Sequence, residues 1–540
     1  MASSTKVTLK QGRVVGGTDT LPNGNSYYFF KGIPYAEPPI GKLRFKAPVP
    51  LKSFSAPEIE CTKEGNICFH RDRFTGKYLG SEDCLFLNVY TPKIDSNGIL
   101  PVMVYIHGGA FVTGSGNSDN YNPLYLMQEN VIVVTMNYRL GPLGFLSFPE
   151  GNIPGNAGLK DQRLVLEWVQ ENISKFGGDQ NNVTLFGQSA GAISAHFHVL
   201  SERSKKLFHK AILQSGLANM TWMVEDRPSF KTIQLAKMLG CSSEDPIEII
   251  DFLQEHQDLE KFFEPIFKPP SLADLVTGCP VPAKPAIEED SPEAVFTKPV
   301  LESMNNKNSI DIPLIIGCAS ADGTVVLPAL IGALDKLESN LRYFVPGGHK
   351  YFEKLKDLEH AIKEFYFKEK NIDKTTLNQL NDLLTDFFFT TPIRETVELH
   401  SRKQHNSPLY FYRFDFEGAL NLHKKKYKLE NIIKGAAHCD ELYYIFQAKS
   451  CPEPWSEREK KIVEVLCKMW ANFAKYSNPT LGCEWMDVKK IEDGEEFLLP
   501  TFVIGDTRGM AENPCAERMD FWCNLKKTAH KRLAGLTESF

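Results

Sequence analysis

The chain lacks any run of about 18 or more apolar residues, so no segment of it reads as a membrane-spanning helix. None of its 12 cysteines forms a C-x-x-C pair, which removes the common zinc and thioredoxin-like readings. The opening M-A-S-S-T-K-V-T-L-K has no apolar core of the kind a secretory leader needs, and the final L-T-E-S-F matches no lipidation or retrieval signal. These features lead us to expect a cytoplasmic protein whose cysteines remain thiols, since reducing compartments seldom keep disulfides. On that basis the sequons at Asn172, Asn182 and Asn219 read as accidental. Internal repeats, low-complexity tracts and Gly/Ser linkers are also missing. Length alone suggests three or four domains at roughly 150 residues each, but without a linker we expect one domain over residues 1–540.

Apolar residues make up 42% and charged residues 24%, the balance of a globular protein that is not disordered. The net charge of −6 is spread along the chain and points to no nucleic acid or other polyanionic partner. One local basic cluster, Lys424 to Lys426 with Lys428, reads as a solvated loop. A monomer or weak homo-oligomer is expected.

What is present is an alternation of buried strands and amphipathic helices. A hairpin opens the chain, V-T-L-K then R-V-V-G-G, turning at Gln11 and Gly12. Val102 to Ile106 is a short apolar run ending in His107-Gly108-Gly109, and Val131 to Met136 is apolar on both faces. Leu159, Leu164, Leu166, Val169, Ile173 and Phe176 recur at helical spacing before Gly177-Gly178. Val183 to Phe186 is another strand, and Ala190 to Leu200 a helix. Prolines 265, 269, 270, 280, 282 and 285 break the stretch from 220 to 310 into excursions over the sheet. Helical patterns return over 351–389 and 456–476, with a strand at Leu409 to Phe416 between them. This order predicts an α/β fold: a large, mostly parallel central sheet flanked by helices, with a small amino-terminal hairpin. Reactive groups then collect at the carboxyl ends of the strands.

Gly187-Gln188-Ser189-Ala190-Gly191 fits G-x-S-x-G, a pattern that arises by chance in roughly one such chain in six. Its setting strengthens it, because a strand enters and an apolar helix leaves, as a nucleophile elbow requires. A serine that attacks an acyl carbon needs amide donors where the oxyanion develops. His107-Gly108-Gly109-Ala110 follows a strand about 80 residues earlier and offers the amides of Gly108 and Gly109, with Ala190 supplying a third. Losing one such donor costs roughly 3 kcal/mol, about a hundredfold in rate. Among 13 histidines, His438 stands in a small-residue loop, Gly435 to Leu442, after the 409–416 strand, and is the expected base. His196 and His198 lie on the helix leaving the elbow and are expected to point elsewhere; His423, beside lysines, is expected to be solvated. The acid should fall between serine and histidine in chain order. Asp322, in the exit loop of the buried run Ile312 to Gly317, is the best-placed carboxylate. No metal or other cofactor is called for.

Together these segments resemble the type-B carboxylesterase/cholinesterase family, over about residues 6 to 525. Family-like stretches are Phe30 to Ala36, Ser81 to Leu85, Asn137-Tyr138-Arg139, Pro154 to Gln162, the elbow, the Gly435 to Leu442 loop, Trp470 with Phe473, and Asn478 to Thr480. Within the family the chain is most similar to insect intracellular carboxylesterases of the detoxifying, dietary type. The resemblance implies an α/β-hydrolase fold, an acyl-serine mechanism on small-molecule esters, and reaction with organophosphates. It places Gln188 and Ser215 just behind the triad, and Trp222, Val325 and Val326 against the substrate; the small valines suggest room for longer acyl chains. Three departures stand out. Many relatives carry glutamate at the position of Gln188, many use glutamate where this chain has Asp322, and secreted relatives close a disulfide at the cysteine matching Cys84, for which Cys61 or Cys68 would be the partner. The Cys61 to Cys84 segment also lacks the tryptophan that cholinesterases offer to choline, which argues against that activity. Juvenile-hormone esterases, which share G-Q-S-A-G, and adhesion proteins that kept the fold but lost the triad are the competing readings.

Overall fold

The structure, a computed structural model, describes residues 5–73, 75–94, 99–268, 282–306, 311–346, 351–403, 406–451, 455–482, 485–492 and 495–534. Pro269, Pro270 and Pro280 therefore lie outside the described residues. Strands β1 (Thr5–Leu9) and β2 (Gly12–Thr20) pair antiparallel with Leu9 opposite Gly12, so the hairpin turns at Lys10 and Gln11, one residue earlier than expected. The chain then forms β3 (Ser26–Pro34), β4 (Phe86–Thr91), β5 (Leu100–Ile106), β6 (Ile132–Met136) and β7 (Gly178–Gln188). It continues through β8 (Lys210–Gln214), β9 (Leu314–Ala319), β10 (Leu409–Phe414), β11 (Pro500–Ile504) and β12 (Arg508–Glu512). Their spatial order is β1-β2-β3-β4-β6-β5-β7-β8-β9-β10-β11-β12. From β6 to β11 neighbouring strands are parallel, and antiparallel strands extend the sheet at both ends.

The central strands are apolar on both faces because both faces are covered. Every residue of β6, β8 and β9 is buried. Alternation along a strand sends neighbours to opposite cores: Leu185, Leu213 and Ile316 pack on one side, and Phe186, Ile212 and Ile315 on the other. Helices α1 (Ala157–Asn172) and α2 (Ala190–Leu200) make the crossovers on either side of β7. Between β9 and β10 lie α3 (Phe352–Phe367), α4 (Leu377–Thr385) and α5 (Thr391–Lys403); α6 (Glu457–Tyr476) precedes β11 and α7 (Ala516–Leu533) follows β12. A Ser456/Glu459 capping box starts α6, whose Ile462, Leu466, Met469, Trp470 and Phe473 sit in the second core. Among the described residues no helix is long and apolar enough to cross a membrane.

The family-like sequence stretches turn out to hold buried ion pairs that fix the loops. Asp161 takes Arg139 Nε at 2.8 Å, Nη2 at 2.7 Å and the Arg139 backbone amide at 3.0 Å, tying the end of β6 to α1. Lys160 lies 2.6 Å from the Glu288 carboxylate, and Asn156 donates to the same side chain at 2.8 Å, which anchors the excursion after residue 282. Arg44 grips Glu82 in a bidentate pair at 2.6 and 2.7 Å.

Three expectations are corrected. Cys68 and Cys84 are joined in a disulfide, their Cα atoms 4.8 Å apart, while Cys61 is buried and free. The all-thiol expectation rested on compartment, whereas pairing follows position: the Phe69 amide donates to the Ser81 carbonyl and the Ser81 amide to the Ile67 carbonyl, which brings the two cysteines side by side. Lys424 is buried rather than solvated, paired with Glu417 and donating to the carbonyls of Ile433 and Gly435 at 3.0 and 2.7 Å. His423 is likewise buried, against Tyr427.

Asp161→Ala leaves the Arg139 guanidinium buried and unpaired, so we expect a loss of about 3–5 kcal/mol in urea unfolding. A loss below about 1 kcal/mol, the range of exposed pairs, would show that water or another carboxylate replaces Asp161.

Candidate active site

The G-x-S-x-G segment is the turn between β7 and α2. Ser189 adopts φ 56°, ψ −125°, a region that costs a non-glycine residue about 1–3 kcal/mol and persists only when its surroundings dictate it. They do: its amide donates to the Gln214 carbonyl at 2.8 Å, and its carbonyl accepts from Ile193 at 2.9 Å. A Cβ on Gly191 would stand 2.0 Å from the Ile106 carbonyl oxygen, so only glycine lets α2 press against the end of β5. That contact brings the loop after β5 beside Ser189. A Cβ on Gly108 would lie 3.2 Å from Ser189 Cβ and 2.7 Å from the Gln188 carbonyl oxygen. Tyr138 steadies this loop, its hydroxyl donating to the His107 carbonyl at 2.9 Å and its ring stacked 4.4 Å from the His107 ring. Among the described residues neither the Gly108 nor the Gly109 amide donates to a backbone carbonyl. The Ala190 amide, at the first residue of α2, lies outside the intrahelical ladder.

The loops after β9 and β10 meet through backbone pairing. Ala321 and Ala437 form a parallel bridge, and the Ala321 amide donates to Ala436 at 2.8 Å. This clasp sets Asp322 Oδ1 2.7 Å from His438 Nδ1. Asp322 Oδ2 accepts from the Ala319 amide at 3.0 Å, and the His438 amide donates to Thr324 Oγ1 at 3.1 Å, so carboxylate and imidazole are each held from behind. With Nδ1–H donated to Asp322, the ring presents Nε2 as an acceptor. Among the described residues Ser189 Oγ makes no hydrogen bond to it; Nε2 instead faces Gln188 Nε2, of the neighbouring residue, at 3.2 Å.

The other sequence candidates divide. His196 Nδ1 accepts from the Ala218 amide at 3.0 Å, and His198 is held by Ser204 and Gln162, each at 3.0 Å; both are buried away from the turn, as expected. Burial pushes His198 down to about 3, and His423 likewise. Ser215 follows β8 at φ 52°, buried beside Gly216, which packs against the Ser189 carbonyl. Asp440 does not reach His438; its carboxylate accepts from Ala437 at 2.7 Å and Asn421 at 2.8 Å. Glu441 accepts from Gln214 at 3.2 Å, and burial, then the Asp322 charge, pushes it up to about 8.

Val325 ends the short turn begun by Asp322, and its carbonyl accepts from Arg73 at 2.9 Å; Val326 is buried behind it. Trp222 packs edge-on to Phe388 and Phe389, at 5.0 and 6.0 Å, and Phe389 stands 5.0 Å from the His438 ring. Those phenylalanines escaped the sequence reading. They belong to a π-helical turn, Asp386–Thr390, between α4 and α5, and supply beside the imidazole the aromatic bulk that the valines lack. Three consecutive phenylalanines in a helical stretch were the available signal, since a regular α-helix cannot bury all three on one face.

The sequence signature of the Carboxylesterase family matches residues 3–522. Juvenile hormone esterase of Tribolium castaneum is 36% identical over 510 residues, covering 88% of this chain and 84% of that protein. Esterase FE4 of Myzus persicae is 34% identical, covering 91% of this chain and 88% of its own length. Among solved structures, juvenile hormone esterase from Manduca sexta, with OTFP covalently attached, superposes with a TM-score of 0.85 at 30% identity, over 97% of this chain and 100% of that one.

Glu441 allows a check on the site's electrostatics. Its folded-state pKa is raised from 4.5 to about 8, so the stability linked to its proton is full below the unfolded value and fades as pH climbs through that window. Glutamine keeps the acceptor for Gln214 and has no proton to lose. Glu441→Gln should therefore flatten the fall in melting temperature across that pH range; an unchanged slope would mean the carboxyl is ionised in the fold.

Proposed function

Because the chain belongs to the carboxylesterase family, and is thus a serine-dependent carboxylic ester hydrolase, we propose that Ser189, His438 and Asp322 are its nucleophile, base and orienting acid. The observation that carries this assignment is the 2.7 Å contact of Asp322 with His438 Nδ1, clasped by the Ala321–Ala437 bridge, with Nε2 turned to the Ser189 segment. In the reaction Nε2 takes the Ser189 proton as Oγ bonds to the ester carbonyl carbon. The amides of Gly108, Gly109 and Ala190 receive the charge on the carbonyl oxygen. The imidazolium returns its proton to the departing alcohol, and water, activated by the same nitrogen, cleaves the acyl-serine. Asp322 keeps Nδ1 protonated throughout, so that Nε2 is always the nitrogen facing the serine.

Small to medium carboxylic esters of dietary or xenobiotic origin are the substrates this reading favours, with organophosphates trapped as stable adducts on Ser189. The Trp222, Phe388 and Phe389 wall suits an apolar acyl group. A second reading, hormone turnover, is favoured by the similarity to the juvenile hormone esterases of Tribolium and Manduca. Comparing kcat/KM for juvenile hormone with that for naphthyl and nitrophenyl esters separates the two: a preference for the hormone of about a hundredfold or more would displace the detoxifying role.

Ser189→Ala should reduce ester turnover at least about a thousandfold with the fold intact. Asp322→Asn should lose about 10⁴ in kcat, through the wrong histidine tautomer, and far more than Asp440→Asn. Equal losses in the two aspartate variants would move the acid away from Asp322.

A further inference from the structure

The contact between Gln188 and His438 has a third member. Cys439 Sγ donates to Gln188 Oε1 at 3.2 Å, while Gln188 Nε2 faces His438 Nε2 at 3.2 Å. The amide fills a slot whose other wall is Gly108, where a Cβ would come within 3.0 Å of Oε1. Thiol, amide and imidazole thus form one line of hydrogen bonds ending on the nitrogen that must accept the serine proton. Cys439 itself sits at φ 73°, a conformation that glycine takes freely and a residue with a Cβ does not. Backbone preference alone therefore disfavours cysteine here, and its thiol is what a glycine would lack.

We propose that Cys439 and Gln188 act together as positioning residues for the base: the thiol anchors the amide, and the amide, donating to Nε2, holds the His438 ring aligned with the Ser189 turn until substrate engages the serine. The proposal rests on the triad assignment above. Its physical basis is that an amide N–H can be met only by an Nε2 that carries no proton, the form in which the ring takes the proton of the serine. A carboxylate at position 188 would act in the opposite sense, accepting from a protonated Nε2. The other ionisable groups facing the ring are Asp322 from the β9 loop and His423 from residues 422–426. Around Cys439 stand Glu441, Asp440, Arg73 and Lys426. All of these remain in place in the variants below.

The test is the pH profile of kcat/KM for p-nitrophenyl acetate, with the pre-steady-state burst measured alongside. In Gln188→Glu the acidic limb should move up by about 1 pH unit or more, as an adjacent opposite charge shifts a titrating base. Cys439→Ala and Cys439→Gly should each lower kcat/KM at neutral pH about fivefold, while Cys439→Gly, freed of the positive-φ strain, melts no lower than the parent protein. Cys439→Ser, which keeps a donor, should restore the rate to within about twofold. An unmoved limb in Gln188→Glu, a fully active Cys439→Gly, or a serine variant as impaired as the alanine one would each overturn the positioning role. A stoichiometric burst that disappears in Ser189→Ala keeps the triad assignment standing whatever the Cys439 variants do; loss of that dependence would remove the triad and this proposal together.

Discussion

Parallel strand register is the constraint on which the site depends. Because β5, β7, β8, β9 and β10 run the same way and pair in step, Ile106 lies opposite Gly187, Gln188 opposite Gln214, Gln214 opposite Gly317, and Ala319 opposite Phe414. Each strand therefore releases its loop at one edge of the sheet. Gly108 and Gly109 follow β5, Ser189 follows β7, Ser215 follows β8, Asp322 follows β9, and His438 lies on the longer segment after β10. A slip of one residue in any pairing would turn its exit loop to the opposite face.

Burial then decides which carboxylate serves the base. Asp322, Asp440 and Glu441 are all fully buried within a few residues of the triad or in it. Only Asp322 is met by a backbone amide on one oxygen and the imidazole on the other, so its charge is stabilised where it is used. Asp440 is spent on the loop that carries His438, accepting from Ala437 and Asn421, and Glu441 on Gln214, which Trp470 holds from the far side at 3.2 Å. The neutral Gln188 leaves the imidazole with one charged hydrogen-bond partner rather than two.

Much of this was legible in the chain. Strands apolar on both faces announce a covered parallel sheet, and the elbow, the glycine loop and Asp322 each carry a local pattern tied to a strand exit. What was not legible depends on side chains meeting across long separations. Nothing near His423 or Lys424 shows that the loop from Gly435 folds over them, so a basic cluster read as solvated is partly core. Phe389 reaches His438 only because a π-helical turn rotates it there. Gln188 and Cys439 are separated by 251 positions, and their contact exists only in the folded site. For Cys84 the family resemblance offers Cys61 or Cys68 as partner and the expected compartment offers neither; only the folded loop, which sets the Cα atoms of Cys68 and Cys84 4.8 Å apart, decides between them.

Activation of Ser189 by the His438–Asp322 pair is open to labelling with a fluorophosphonate probe followed by peptide mapping, because the reagent reports both the nucleophile and its activation. A single adduct is expected, on Ser189, and its rate of formation should collapse in His438→Ala. An adduct on another serine, or labelling of Ser189 that proceeds unchanged without the imidazole, would contradict it.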